Sequence, residues 1–194
     1  MAKATKKDRL SIVDKATNLY WEKGFHGTSM RNLQDVIDMR PGSIYAAFGS
    51  KEGLFKEAIQ HYAQQGIDHL NTLKLEKNSP FKGLKAFVES AVIHSQVVAP
   101  SGMCMLAKTV SELTEENAEL LAEAKSLLNK IEGAFAQALS EAQMTGEIAS
   151  SKNTKQLASY LQVQVMGLRT YARFNSDKAT MKLMLDNVFA TIQE

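Results

Sequence analysis

The chain has one cysteine, Cys104, so an internal disulfide framework is excluded and a reducing compartment fits. Three prolines and few glycine clusters in 194 residues leave long helices free to form. No apolar run approaches the ~20 residues that a membrane-spanning helix needs. The N-terminal run is basic but leads into no apolar core, so it is not expected to be a secretory signal. Metal-type spacing is missing among the four histidines, His26, His61, His69 and His94. Neither a glycine-rich phosphate loop nor a serine nucleophile elbow is visible, so no enzyme, metal or cofactor is expected. What is present is an ordinary globular composition, 44% hydrophobic and 23% charged. The expected setting is cytoplasmic, without a membrane partner.

The charge is small but uneven. The net +2 divides into +4 over residues 1–51, with nine Lys or Arg against five Asp or Glu, and −2 over the remainder. The basic end coincides with the most informative stretch, residues 28–51. Thr28 and Ser29 are good helix N-caps, and Met30, Leu33, Val36 and Ile37 come next at helical spacing. Pro41 disfavours helix at Arg40 but suits the first turn of a new one. That new helix is very short, with Ile44, Ala47 and Phe48 on one face, until Gly49 and Ser50 end it. Two short helices around a tight turn outline a helix-turn-helix. The second is too short to stand alone and must be held by neighbours, which leaves one face free. That face carries Arg40, Pro41, Gly42, Ser43, Tyr45 and Ala46. Its small residues allow close backbone approach, and Arg40, Ser43 and Tyr45 offer donors to phosphates or base edges.

The frame of Gly24, Phe25, Thr28, Gly42, Ser43, Tyr45, Phe48, Lys51, Glu52 and Leu54 resembles the TetR-type transcriptional regulators. The resemblance is close over roughly the first quarter of the chain; beyond it, only length and helical layout agree. Met39-Arg40-Pro41 stands where a Val-Ser-Lys type of turn is commoner, and Ala46-Ala47 where bulky residues are often found. These departures leave the fold intact, and no operator sequence is carried over. The resemblance implies DNA contacts by Thr28, Ser29, Arg40, Pro41, Gly42, Ser43, Tyr45, Ala46 and Lys51. Thr28, Tyr45 and Lys51 would anchor phosphates, Arg40 and Ser43 would meet base edges, and Pro41, Gly42 and Ala46 would pack near thymine methyls or sugars. Lys51 falls in the first turn of the next helix, where free N–H groups favour an anion.

Lys3, Lys6, Lys7 and Arg9 read either as a solubilising tail or as an arm that adds DNA contacts. A first helix is expected from about Lys7 to Gly24, with Ile12, Val13, Ala16, Leu19 and Tyr20 as its apolar stripe and Trp21 partly buried. The helix from Lys51 ends near Gly66 or continues to about Leu75. Ser79 caps a helix that opens on Pro80 and runs through Phe81, Leu84, Phe87, Val88, Ala91, Ser95 and Val98. A short helix near 103–113 and the longest helix, opened by Thr114 and stopped near Gly146, come next. The last two, near 154–174 and 177–193, are apolar on more than one side: Val163, Val165, Met166 and Leu168 share no narrow stripe, nor do Leu183, Met184, Leu185, Val188 and Phe189. One side can meet the chain's own core, and a second copy would cover the other. TetR-type proteins pair through their last two long helices, so periodicity and resemblance agree, with a wholly internal helix in a monomer as the alternative.

Nine methionines are many for this length, and Met fills irregular cavities. An apolar pocket between the middle helices would draw on Tyr62, Phe87, Ala91, His94, Met103, Leu106, Phe135 and Met166; a plain packed core would look the same. Cys104 reads as a small buried hydrophobe, or as a redox sensor with Lys108 four residues on. His61 and His69 are expected to face solvent.

The expected protein is all-α: a three-helix helix-turn-helix domain over 1–51, then a ligand-sensing and dimerisation domain over 52–194. Its partners would be a palindromic double-stranded operator, a second copy and a small apolar inducer. Two alternatives stand beside this repressor: a thiol- or electrophile-sensing repressor acting through Cys104, and an apolar-ligand carrier with a vestigial DNA-binding part.

Overall fold

Capping residues and prolines start the helices where their chemistry places them, though two helices are built differently from expectation. The computed structural model describes residues 6–194, with side chains from Arg9 onward except those of Val97 and Val98. Lys3 and the side chains of Lys6 and Lys7 lie outside the described residues. Among those described, all regular structure is helical. The order is α1 (Lys6–Lys23), α2 (Met30–Ile37), α3 (Pro41–Phe48), α4 (Lys51–Glu76), α5 (Pro80–Glu89), α6 (Ser95–Val98), α7 (Met105–Glu112), α8 (Ala118–Met144), α9 (Thr154–Tyr171) and α10 (Lys178–Gln193).

Contacts divide the chain into two units, one of residues 1–64 and 105–127, the other of residues 65–104 and 128–194. The division therefore cuts α4 and α8 rather than falling after residue 51. α4 is one unbroken helix of 26 residues that passes straight through Gly66. An interior glycine costs a helix only about 1 kcal/mol relative to alanine, too little to stop one of this length.

In the first unit, Tyr20 of α1 meets Phe55 of α4 edge-on at 4.8 Å, and Phe25 meets Phe55 at 5.0 Å. Ala16, Leu33, Ile44, Leu54, Ala58 and Ile59 close around them with no exposed surface. Val36 departs from its expected place: it is exposed, because Leu33 and Ile37 alone define the buried stripe of α2. His61 is half-buried rather than solvent-facing, with Nε2 3.3 Å from Asp14 Oδ1 on α1. Trp21 is half-buried as expected, edge-on to Tyr62 at 5.0 Å.

In the second unit, Leu84, Val92, Phe135, Leu139, Leu161, Leu185 and Phe189 form the core. Ser79 caps α5 by accepting from Lys82 N at 3.0 Å, with Pro80 in the first turn. Glu147 pairs with the Ser79 hydroxyl and accepts from Phe81 N at 3.1 Å. A Cβ on Gly83 would stand 2.5 Å from Lys74 Cα, so the backbones of α4 and α5 meet where only glycine fits. The long helix expected after Pro80 runs to Val98 with a π turn inside it, Ser90–His94. Its extra residue swings the rest of the helix about 100° round the axis. The buried series Phe81, Leu84, Val88 and Val92 ends there, and His94 is exposed. His69 is exposed as expected, with its ring 5.9 Å from Phe87. Glu115–Asn117 form a 3₁₀ turn before α8, so Thr114 opens that turn and not the helix itself.

Arg169 of α9 is buried, donating from Nε to Gly102 O at 2.9 Å and from its guanidinium to Met103 O at 3.0 Å. The two-sided character of α9 and α10 is real. Leu161, Val165, Leu168, Leu185 and Phe189 are buried, whereas Val163 is 65% and Leu183 63% exposed.

Phe135 is 2% exposed and meets Phe87 at 5.9 Å in the second core. Phe135→Ala is expected to lower stability by about 3–5 kcal/mol, measured by denaturant unfolding; a loss below about 1 kcal/mol would contradict its central place.

Candidate nucleic-acid interface

The interface is built by two short helices and the turn between them. Ser29 caps α2: its Oγ accepts from Asn32 N at 3.1 Å, while Asn32 Oδ1 accepts from Ser29 N at 3.0 Å. This reciprocal pair satisfies two of the donors left open at a helix start. Asp38 ends α2 in the left-handed region, φ 53°, where short polar side chains are tolerated. Arg40 is extended, φ −70° and ψ 150°, and Pro41 starts α3 with φ already suited to a helix. No side chain caps the N-terminus of α3; Pro41 brings no N–H, and Ser43 N and Ile44 N donate to Arg40 O at 2.9 and 3.1 Å.

α3 buries Ile44 and Phe48 and leaves Arg40, Pro41, Gly42, Tyr45 and Ala46 exposed, with Ser43 half-buried. Tyr45 is 50% exposed. A Cβ at Gly42 would meet nothing within 4 Å. Nothing in the fold therefore demands glycine there, and its smallness serves the open side. The six expected residues of this face thus share one short helix and its entry. Arg31, in the first turn of α2, is exposed as well. Sequence reasoning passed over it, although an arginine just after a helix cap was there to be noticed.

Two expected contacts are placed differently. Thr28 is fully buried, and its hydroxyl donates to Gly24 O at 2.6 Å. It braces the turn before α2 and presents no hydroxyl outward, which corrects its expected role as a phosphate anchor. Arg9 is not part of a loose arm. Its guanidinium donates to Ala47 O at 3.0 Å, lies 4.4 Å over the Phe48 ring and pairs with Glu57. A cation on the last carbonyls of α3 is favourable both as a hydrogen bond and toward the helix dipole.

Lys51 opens α4. Its ammonium lies 4.2 Å over the Phe25 ring, and its carbonyl accepts from the Tyr20 hydroxyl at 3.1 Å. Partial burial pushes its pKa below the usual lysine range, opposed by the charges of Glu52 and Glu112. A nearby phosphate would favour the charged form further. Burial, and then Glu52, raise the Tyr20 hydroxyl, which stays neutral. Ser50 Oγ accepts from Gly53 N at 3.0 Å, as the cap of α4 should.

The residues expected to line a ligand pocket fall in both units. Tyr62 and the fully buried Leu106 belong to the first. Phe87, Ala91, His94, Met103, Phe135 and Met166 belong to the second, where Phe87 and Phe135 meet and His94 is exposed. Cys104 is half-buried, not enclosed in the core. Among the described residues, no group of three or more His, Cys, Asp or Glu could hold a metal ion, and no helix is long and apolar enough to cross a membrane.

Residues 12–58, which contain all of this geometry except its outer edges, match the family model of bacterial regulatory proteins of the tetR family. Residues 80–188 match the tetracyclin repressor-like C-terminal domain. The HTH-type transcriptional repressor ComR of Escherichia coli (strain K12) is 27% identical over 168 residues, 86% of this chain and 80% of that protein. A TetR-family regulator, CifR, solved as a cysteine variant with 26-bp operator DNA, superposes with a TM-score of 0.80 at 22% identity, covering 98% of both chains. A TetR-family regulator from Agrobacterium tumefaciens gives 0.80 at 19% identity, over 97% of this chain and 99% of that one. At such identities the two structures speak for the fold alone, and they agree with both family models. The chain belongs to the TetR family of bacterial regulatory proteins, transcriptional regulators that bind DNA.

Proposed function

We propose that this protein is a dimeric repressor that holds a palindromic operator and is released by a small apolar molecule. The observation that carries the reading is α3: anchored on one side by Ile44 and Phe48, open on the other through Arg40, Pro41, Gly42, Tyr45 and Ala46. Such a helix fits a major groove with its N-terminal residues toward the bases. ComR is a repressor by name, and CifR was solved on operator DNA; both support the assignment. Arg40 and Ser43 read base edges. Tyr45, Lys51 and Ser29 lie toward phosphates, and Arg31 joins them in place of Thr28. Enzymatic chemistry has no support, since the relatives are regulators.

The exposed apolar sides of α9 and α10, with Val163 and Leu183, pair with the same surface of a second copy. Two recognition helices then meet two half-sites related by the same two-fold axis. In the second unit, Phe87, Ala91, Met103, Phe135 and Met166 supply an apolar lining for the inducer, with His94 as its polar edge. An inducer acts by preferring the arrangement that does not fit the operator.

Selection of duplexes from a random pool identifies the operator, and a symmetric consensus is the expected result. On that operator, Arg40→Ala should cost about 1–3 kcal/mol and relax preference at one base position; unchanged affinity removes Arg40 from the readout. Lys51→Ala should weaken all sequences alike and flatten the salt dependence. A loss confined to one base pair would contradict its phosphate role. Leu183→Glu should yield a folded monomer in sedimentation, with operator affinity lost; a dimer that persists would place the interface elsewhere.

A further inference from the structure

α7 faces the end of α1 with two opposite charges, one helical turn apart. Lys108 donates from Nζ to Glu22 O at 2.7 Å and Trp21 O at 3.2 Å. These are among the last carbonyls of α1, where the helix dipole favours a cation. Four residues on, Glu112 accepts from His26 N at 2.7 Å through Oε1 and from Phe25 N at 3.1 Å through Oε2. Residues four apart on a helix share a face, so both ends of one turn of chain are held from one side.

The turn is built for this. Gly24 has φ +80°, which reverses the chain and aims the next two N–H groups the same way. A Cβ at Gly24 would lie 2.5 Å from Glu112 Oε2, so a side chain there would push the carboxylate aside. Thr28 then closes the turn, its hydroxyl donating to Gly24 O and its N–H to Phe25 O at 3.3 Å. Ser29, the cap of α2, comes immediately after it. The carboxylate therefore grips the chain just before the helix-turn-helix, from a helix that lies far along the sequence.

We propose that Glu112 and Lys108 are positioning residues for DNA binding: a charged clamp on α7 fixes the turn from Trp21 to Thr28 and thereby the placement of α2 and α3. The proposal rests on the repressor reading, since it supposes that α2 and α3 grip an operator. Neither residue touches the duplex. The clamp acts on fit to the correct site, while non-specific attraction from Arg31 and Arg40 does not depend on it.

The test uses the full-length protein and the operator recovered by selection. Glu112→Gln keeps the volume but removes the charge and turns one acceptor into a donor facing an N–H. Operator affinity is expected to fall tenfold or more, with faster amide exchange at Phe25 and His26. Binding to random duplex at low salt and the helical signal at working temperature should stay at wild-type values. Lys108→Met, which keeps the apolar stem, should show the same pattern more weakly and decides the matter if Glu112→Gln does not fold. Glu119→Gln, which removes an exposed partner of Lys56, is the control and should leave operator binding unchanged. Operator affinity within twofold of wild type for both clamp variants overturns the proposal alone. So does an affinity loss, in a clamp variant that folds, matched by an equal loss of random-duplex binding, because that marks a merely structural role. A wild-type protein that retains no duplex overturns the repressor reading, and this proposal falls with it.

Discussion

An eight-residue helix cannot hold itself together in water, because nucleation costs more than so few hydrogen bonds return. Everything around α3 answers that constraint. Ile44 and Phe48 are sunk into the first core, Pro41 fixes the opening dihedral, and Arg9 takes the carbonyl of Ala47 while stacking on Phe48. Each brace uses the inner side or an end of the helix. None uses the outer side, which stays open instead of becoming a piece of core.

The local grammar of this region is legible in the sequence because each rule acts over three or four residues. Ser29, Pro41, Gly49, Ser50, Ser79 and Asp177 stand at helix starts or ends where their chemistry places them. Side-chain commitments across long separations are not legible. Nothing near Arg9 says that it will meet Ala47 and Glu57. Residue type suggests a basic tail or arm there, and Arg9 is a brace. Tertiary packing overrides the general tendency of that residue. The Thr28 bond to Gly24 is local, only four residues back, but the resemblance points its hydroxyl at a phosphate instead. The π turn after Glu89 has no such short-range signal, and the end of α4 stays open in the sequence between Gly66 and about Leu75.

The later helices show the reverse. Their excess of apolar residues announces two faces before any coordinates do, and the structure separates those faces cleanly. Leu161, Val165 and Leu168 turn inward on α9 while Val163 turns out; on α10, Leu185 and Phe189 turn inward while Leu183 turns out. A period that cannot be satisfied by one neighbour is information about a second. The candidate pocket residues have no comparable signature, because a packed core and a lined cavity draw on the same side chains.

The planar fork of Arg169 holds the carbonyls of Gly102 and Met103 together. A single-point attachment, such as an ammonium, lets a peptide segment pivot about the contact. Two adjacent oxygens gripped by one rigid plane leave no such swivel, so the segment is fixed in roll as well as in place.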